Sequence, residues 1–332
     1  MTNRDAEIAA FLAGTPWESW QRHPLAGDAS LRRYERLQDN SGQSVVLMDA
    51  PVDSNGPMDA YLNVTALLQN RDVSVPAILH QDPKAGLLLL EDLGDALFAA
   101  VIEDSPDQES TLYEAATDFL AALHKQNGPD LAALTPPVLA EMTSLAFTEY
   151  RQAVLGDDAP RLRAEFERKF EAILHETLTG DMVFVHRDFH AQNLMWLPDR
   201  SGHARVGVID FQDARRGHRA YDLVSLLQDA RRDVPATIER QMIDRYIAIT
   251  GQDGQTFQTA YAVIGVQRNM RILGIFARLA RTMGKPQYLD LMPRVWAHFI
   301  QGLEHPALAP VSEDLRTALP APTADVLRQL TP

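Results

Sequence analysis

The sequence predicts an α+β protein in two parts: a small, β-rich N-terminal lobe over 1–94 and a large, mainly helical lobe over 95–332. Short apolar runs separated by turn residues fill the first ninety or so positions and read as strands with one helix. From 110 onward a 3.6-residue apolar period takes over, broken only by three short strands at 182–185, 194–197 and 206–209. A chain of 332 residues is long enough to bury two substantial cores.

In order, 5–12 carries helical spacing, and 30–37 and 44–49 form a strand pair about the Asp39-Asn40-Ser41-Gly42 turn. A helix starts near Pro57, a favourable first-turn residue, and runs to 70. Strands at 77–80 and 87–90 follow, turning over 82–86, and 91–94 connects to the helical part. Helices are expected at 111–126, 138–154 and 160–178 and in several segments after 218. The Pro- and Ala-rich tail after His305 reads as surface coil with one short helix.

A net charge of −14 argues against nonspecific binding to nucleic acid or anionic lipid. The absence of cysteine excludes disulfides, thiolate metal sites and cysteine nucleophiles, and fits a reducing compartment. The first residues lack the apolar stretch of a signal peptide, and 87–90 is too short to span a bilayer. The expectation is a cytoplasmic enzyme with small-molecule partners.

The chemistry is concentrated in His186-Arg-Asp-Phe-His-Ala-Gln-Asn193, held between apolar strands. Asp188 and Asn193 lie five positions apart, the spacing of the H-R-D-x-x-x-x-N catalytic loop of kinases. In that arrangement Asp188 accepts the proton of an acceptor hydroxyl, and Asn193 offers a neutral oxygen to magnesium. Asp210 ends the next strand, where a carboxylate reaches a metal bridging the β- and γ-phosphates of ATP. Catalytic roles therefore fall to Asp188, Asn193 and Asp210, the last two as metal ligands. His190 either packs beneath the loop or meets the substrate, and Asp222 caps its helix or braces the loop.

The loop 186–193 and Asp210-Phe-Gln-Asp-Ala214 resemble the aminoglycoside phosphotransferase and choline kinase superfamily, over nearly the whole chain. The resemblance implies a bilobal protein-kinase-like fold using ATP and Mg²⁺. Asp28-Ala-Ser-Leu-Arg-Arg-Tyr34, Val46-Leu-Met-Asp-Ala-Pro51, Leu88-Leu-Leu-Glu-Asp-Leu-Gly94 and Leu273-Gly-Ile-Phe-Ala-Arg-Leu279 look like the bacterial anomeric sugar kinases. That group phosphorylates the C1 hydroxyl of N-acetylmuramate and N-acetylglucosamine in cell-wall recycling. Aminoglycoside, choline or homoserine kinases and a nucleotide-binding pseudokinase are the alternatives.

The strand lysine that contacts the α- and β-phosphates in protein kinases is replaced by Met48, and the helix at 57–70 lacks its glutamate partner. Arg32 and Arg33, after the small-residue loop that ends at Ser30, are the candidate replacements. Glu91 and Leu93, in the connection, would meet the adenine through backbone groups. For the acceptor, His190, Asp213, Arg268 and Arg271 are the candidates. Segment 261–301 holds six basic residues against Asp290 alone, which suits a neutral or anionic acceptor such as an amino sugar with a lactyl carboxylate.

Overall fold

The structure, a computed structural model, describes residues 3–25 and 32–331. The chain divides into two compact units. One comprises residues up to Asp104 together with Asn193–Asp213, and the other comprises Ser105–Gln192 and Ala214–Pro332. The first unit thus includes a later stretch of the chain, Asn193–Asp213.

The first unit is built on five antiparallel strands: β1 (Gln21–Leu25), β2 (Arg33–Gln38), β3 (Ser44–Asp49), β4 (Ile78–Asp82) and β5 (Leu87–Glu91). They are ordered β1-β2-β3-β5-β4. Strand β1 was not expected, since Gln21-Arg-His-Pro-Leu25 has no apolar alternation. It is an edge strand, which tolerates polar residues and proline. The expected strand at 30–37 is described only from Arg33.

Side chains alternate across the sheet, and directly paired residues share a face. Val45, Leu47, Leu87 and Leu89 lie on one face and form a core with Ile8, Phe11 and Leu12 of the helix Asn3–Leu12. Val46 and Met48 therefore belong to the other face. At the turn between β4 and β5, Gly86 has φ +69, and a Cβ there would lie 2.1 Å from the Ala50 carbonyl oxygen. Only glycine fits that approach.

Two further strands complete this unit, β7 (Leu194–Trp196) and β8 (Val206–Val208), paired antiparallel. The Val208 N–H donates to the Ser74 carbonyl at 2.9 Å, and the Trp196 N–H to the Ala96 carbonyl at 2.7 Å. These bonds carry the hairpin with the small unit despite its distance in sequence.

The second unit is mainly helical, with one short antiparallel pair, β6 (Val183–Val185) and β9 (Arg215–Gly217). The expected helix at 138–154 is broken into Pro136–Met142, a π-helical turn at Ala146–Arg151, and Gln152–Leu155. The tail is more helical than expected, forming Ala309–Ala318 and Ala324–Leu330. Its apolar residues Val311, Leu315 and Leu330 are buried, and Thr323 caps the last helix, so composition alone misreads it.

The spine of this unit is the thirty-residue helix Gly254–Met283, capped by Asp253 and buried along much of its length. Gly274 lies mid-helix, where alanine is favoured by about 1 kcal/mol on propensity. Yet a Cβ there would lie 2.3 Å from the carbonyl carbon and oxygen of Leu145. Gly274→Ala is therefore expected to lower stability by about 1–3 kcal/mol, read as a lower urea midpoint.

No helix among the described residues is long and apolar enough to cross a membrane.

Candidate active site

The sequence motif straddles the two units: Asp188 and His190 belong to the helical unit, and Asn193, Asp210 and Asp213 to the sheet unit.

In the helical unit, β6 delivers a loop that hangs on one carboxylate. The His186 N–H donates to Asp222 Oδ2 at 2.6 Å, and the Arg187 N–H to Asp222 Oδ1 at 3.0 Å. Asp222 is 1% exposed, at the start of the helix Ala220–Leu227, so it braces the loop. The turn is tight, with Arg187 in the left-handed region at φ 78. Phe189 is buried and stacked on Phe119, which directs the residues on either side of it.

Asp188 is half-buried. Burial alone would push its carboxyl up. The charges of Arg268 and Arg271 outweigh burial and hold it below the usual carboxylate value. Asp188 is thus ionised at neutral pH.

Arg268 is buried on the helix Gly254–Met283 and donates from Nη2 to Ser225 Oγ at 2.7 Å. Asp188 and Asp229 are both near enough to stabilise its charge. Arg271, one turn on, is only half-buried. His190 is buried, and the Arg231 guanidinium lies 3.1 Å from its Nε2. Burial and that charge push its pKa well below the usual histidine value, so the ring is neutral and Nε2 accepts from Arg231.

Burial also pushes the Asp222 carboxyl up to about 7, against its two backbone hydrogen bonds and Arg268. A carboxyl raised on folding contributes its full share of stability below its ordinary value of 3.8, and that share is lost as pH rises to about 7. Asp222→Asn is expected to remove this dependence. It also replaces an acceptor with an amide donor facing a backbone N–H, costing about 1–3 kcal/mol. Denaturant midpoints between pH 4 and 8 would read both effects, and an unchanged slope would show that Asp222 does not titrate there.

In the sheet unit, pairing of β7 with β8 brings the other two residues together. The Ile209 N–H donates to the Asn193 carbonyl at 3.1 Å, and Asp210 is the next residue. Asp210 is exposed, has φ 60, and accepts at Oδ1 from Gln212 Nε2 at 2.8 Å. Asp213 is also exposed. A carboxylate and an asparagine amide carbonyl are oxygen donors of the kind that would suit magnesium. No cluster of three or more His, Asp or Glu able to hold a metal occurs among the described residues.

The candidate nucleotide residues are more divided. Ser30 lies outside the described residues. Arg33 donates to Asp49 Oδ2 at 2.6 Å, and the helix residue Arg4 donates to Asp49 Oδ1 at 2.6 Å. Arg32 has its guanidinium carbon 6.0 Å from the centre of the Tyr61 ring. Glu91 accepts from Arg200 Nη2 at 2.7 Å, while its neighbour Asp92 accepts from Arg36 Nε at 2.6 Å. These acids are tied into the fold. The Leu93 side chain packs toward Gly207, whose Cβ would lie 3.3 Å from it.

Ser225, Asp229, Arg231 and the tyrosines around Arg32 were not anticipated. Ser225 and Tyr61 sit in ordinary helical pattern, Asp229 and Arg231 in the turn after the helix Ala220–Leu227, and only alternation along β2 could have flagged Tyr34.

The profile of the phosphotransferase enzyme family matches residues 21–260. The chain belongs to that family. It is an enzyme, a phosphotransferase with an alcohol group as acceptor, on a bilobal protein-kinase-like fold. A relative from Caulobacter vibrioides named N-acetylmuramate/N-acetylglucosamine kinase is 38% identical, over 93% of this chain and 94% of its own. One of the same name from Pseudomonas aeruginosa is 34% identical, over 90% and 88%. Among solved structures, a choline/ethanolamine kinase family protein from Mesorhizobium loti aligns with a TM-score of 0.61 at 14% identity, over 95% of this chain and 99% of that one. An ADP-bound aminoglycoside phosphotransferase aligns at 0.59 and 16% identity, over 89% and 99%. The last two likenesses concern the fold alone.

Proposed function

We propose that this phosphotransferase moves the γ-phosphoryl group of ATP to the anomeric C1 hydroxyl of N-acetylmuramate or N-acetylglucosamine, as a cytoplasmic enzyme of cell-wall recycling. The observation that carries the reading is the near-full-length likeness, at 38% identity, to a relative named for both sugars.

The residues around Asp188 support it chemically. Asp188 accepts the proton of the acceptor hydroxyl and turns its oxygen toward the phosphorus. A carboxylate held below its usual pKa is a weak base, which suits the anomeric hydroxyl because the ring oxygen makes it the most acidic on the sugar. Asn193 and Asp210 are the residues that would hold magnesium. With its metal, the nucleotide supplies the transferable phosphoryl group and the counter-charge that transfer needs. The nucleotide contacts fall to Arg32 or Arg33, the loop ending at Ser30, and the backbone at Glu91 and Leu93.

On the acceptor side, His190 and Asp213 are proposed to meet sugar hydroxyls, and the two arginines divide their work. Arg268 is buried near Asp188 and Asp229, and its charge serves to keep Asp188 ionised. The half-buried Arg271 meets the lactyl carboxylate of N-acetylmuramate. Arg271→Ala is expected to raise KM for N-acetylmuramate about 10-fold more than for N-acetylglucosamine. Equal changes for both sugars would remove that assignment.

The test of the function is ADP release with ATP, magnesium and a panel of N-acetylmuramate, N-acetylglucosamine, choline, homoserine and kanamycin. Turnover is expected with the two amino sugars. Turnover only with another acceptor would replace the reading, and nucleotide binding without any turnover would favour a pseudokinase.

A further inference from the structure

We infer that Arg32, not Arg33, supplies the cation that grips the nucleotide's phosphates in place of the missing strand lysine. The inference rests on the nucleotide-dependent reading above and names the residue that performs one part of it.

The two arginines are adjacent in sequence but on opposite sides of the sheet. Arg33 pairs with Asp49 in the β2–β3 register, and Tyr34 pairs with Met48. Paired residues share a face, so Arg33 and Asp49 lie on the face covered by the helix Asn3–Leu12. The Arg4–Asp49 and Arg33–Asp49 hydrogen bonds are made there. Asp49 is 3% exposed and takes both guanidinium groups. Arg33 is thereby committed to neutralising a buried carboxylate, and withdrawing it would leave Asp49 partly uncompensated.

Tyr34 and Met48 point to the other face, the one a strand lysine at position 48 would use. Met48 is 0% exposed and carries no charge. Arg32, two residues before Tyr34, is on this side, since its guanidinium lies 6.0 Å from the Tyr61 ring and hydrogen-bonds Tyr34. Tyr61 is itself stacked on Phe211 at 5.0 Å, immediately after Asp210. The Asp210 charge reaches both Tyr34 and Tyr61. Arg32 therefore stands within the field of the proposed metal-binding carboxylate, on the same unit and the same face as the lost lysine.

Burial pushes both phenols above the usual tyrosine pKa, so they stay protonated. They orient Arg32 without cancelling its charge. A planar guanidinium so held can present paired N–H groups to a phosphate, the class of ligand that a nucleoside triphosphate brings. Tyr34 hydrogen-bonds the guanidinium and the Tyr61 ring lies beside it, so two neutral side chains help to position the cation.

Titration calorimetry with ATP, ADP and adenosine separates the possibilities. Arg32→Ala is expected to weaken ATP and ADP about 10- to 100-fold while adenosine binds as to wild type. Arg32→Lys should recover part of the loss. Arg33→Ala should lower the thermal midpoint through Asp49 yet keep the wild-type ratio of ATP to adenosine affinity. If Arg32→Ala does not fold, Arg32→Gln, which removes the charge but keeps the Cβ–Cδ stem and an amide NH2 group, carries the same measurement. An unchanged ATP affinity in the Arg32 variants, or an equal loss of adenosine and ATP, would overturn the assignment. Wild-type protein that binds no nucleotide would overturn the nucleotide reading as well.

Discussion

Asp188→Asn is expected to lower turnover by about 10²- to 10⁴-fold while ATP binds within about 3-fold of wild type. The two side chains are nearly isosteric, so Phe189 stays packed on Phe119 and the loop stays on Asp222. What would be lost is the proposed acceptor for the hydroxyl proton. The amide also removes a negative charge from beside Arg268 and Arg271. The same charges make a second expectation about pH. Because Asp188 titrates below the usual carboxylate range, its acid limb in kcat/KM should lie below that range. Replacing Arg268 with methionine should move the limb upward. Single-turnover rates for the acceptor, with ATP affinity measured separately, check the first expectation. A variant with near wild-type turnover would remove Asp188 from the chemistry.

Asp210→Asn is expected to reduce kcat by roughly 10²- to 10³-fold and to raise the magnesium concentration needed for half-maximal rate. In the proposed site Asp210 would supply the charged ligand of its pair, and Asn193 the neutral one. With Asp210 neutralised, the charge of the nucleotide would have to be met by Arg32 and by loosely held metal. A magnesium titration of the initial rate distinguishes this from a general loss of fold. A variant whose magnesium dependence is unchanged would mean that Asp210 does not hold the ion. Gln212, bonded to Asp210 Oδ1, would then have to be reconsidered as an active group.

Much of the candidate site is legible in the sequence because phosphoryl transfer imposes few and local requirements. The spacing of Asp188 and Asn193 sits within one loop, and Asp210 ends a short apolar strand, so neighbours in the chain are enough to expose them. The strands at 44–49 and 87–90 were equally plain, because their apolar residues fill the sheet's buried faces. Harder to read were relationships set by packing. Asp222 was recognised as a cap or a brace, but its bonds to two backbone N–H groups of a loop some thirty-five residues away are visible only in three dimensions.

Arg32 and Arg33 show the same limit more sharply. Side by side in sequence they were equivalent candidates, although strand alternation already implied opposite faces. Which face mattered depended on the register with β3 and on Asp49. Strand β1 and the helical tail were missed for a related reason. An edge strand needs no apolar pattern, and an alanine- and proline-rich tail becomes helical when a few leucines and a valine are buried. The hairpin β7–β8 joins the sheet unit through backbone bonds to Ser74 and Ala96, which no side-chain pattern announces.

The most direct test of the account is phosphorus NMR of the product formed from ATP, magnesium and N-acetylglucosamine or N-acetylmuramate. The expected result is a sugar phosphate whose phosphorus couples to the anomeric proton, placing the new bond at C1. Phosphate on any other hydroxyl, or no sugar phosphate at all, would contradict it.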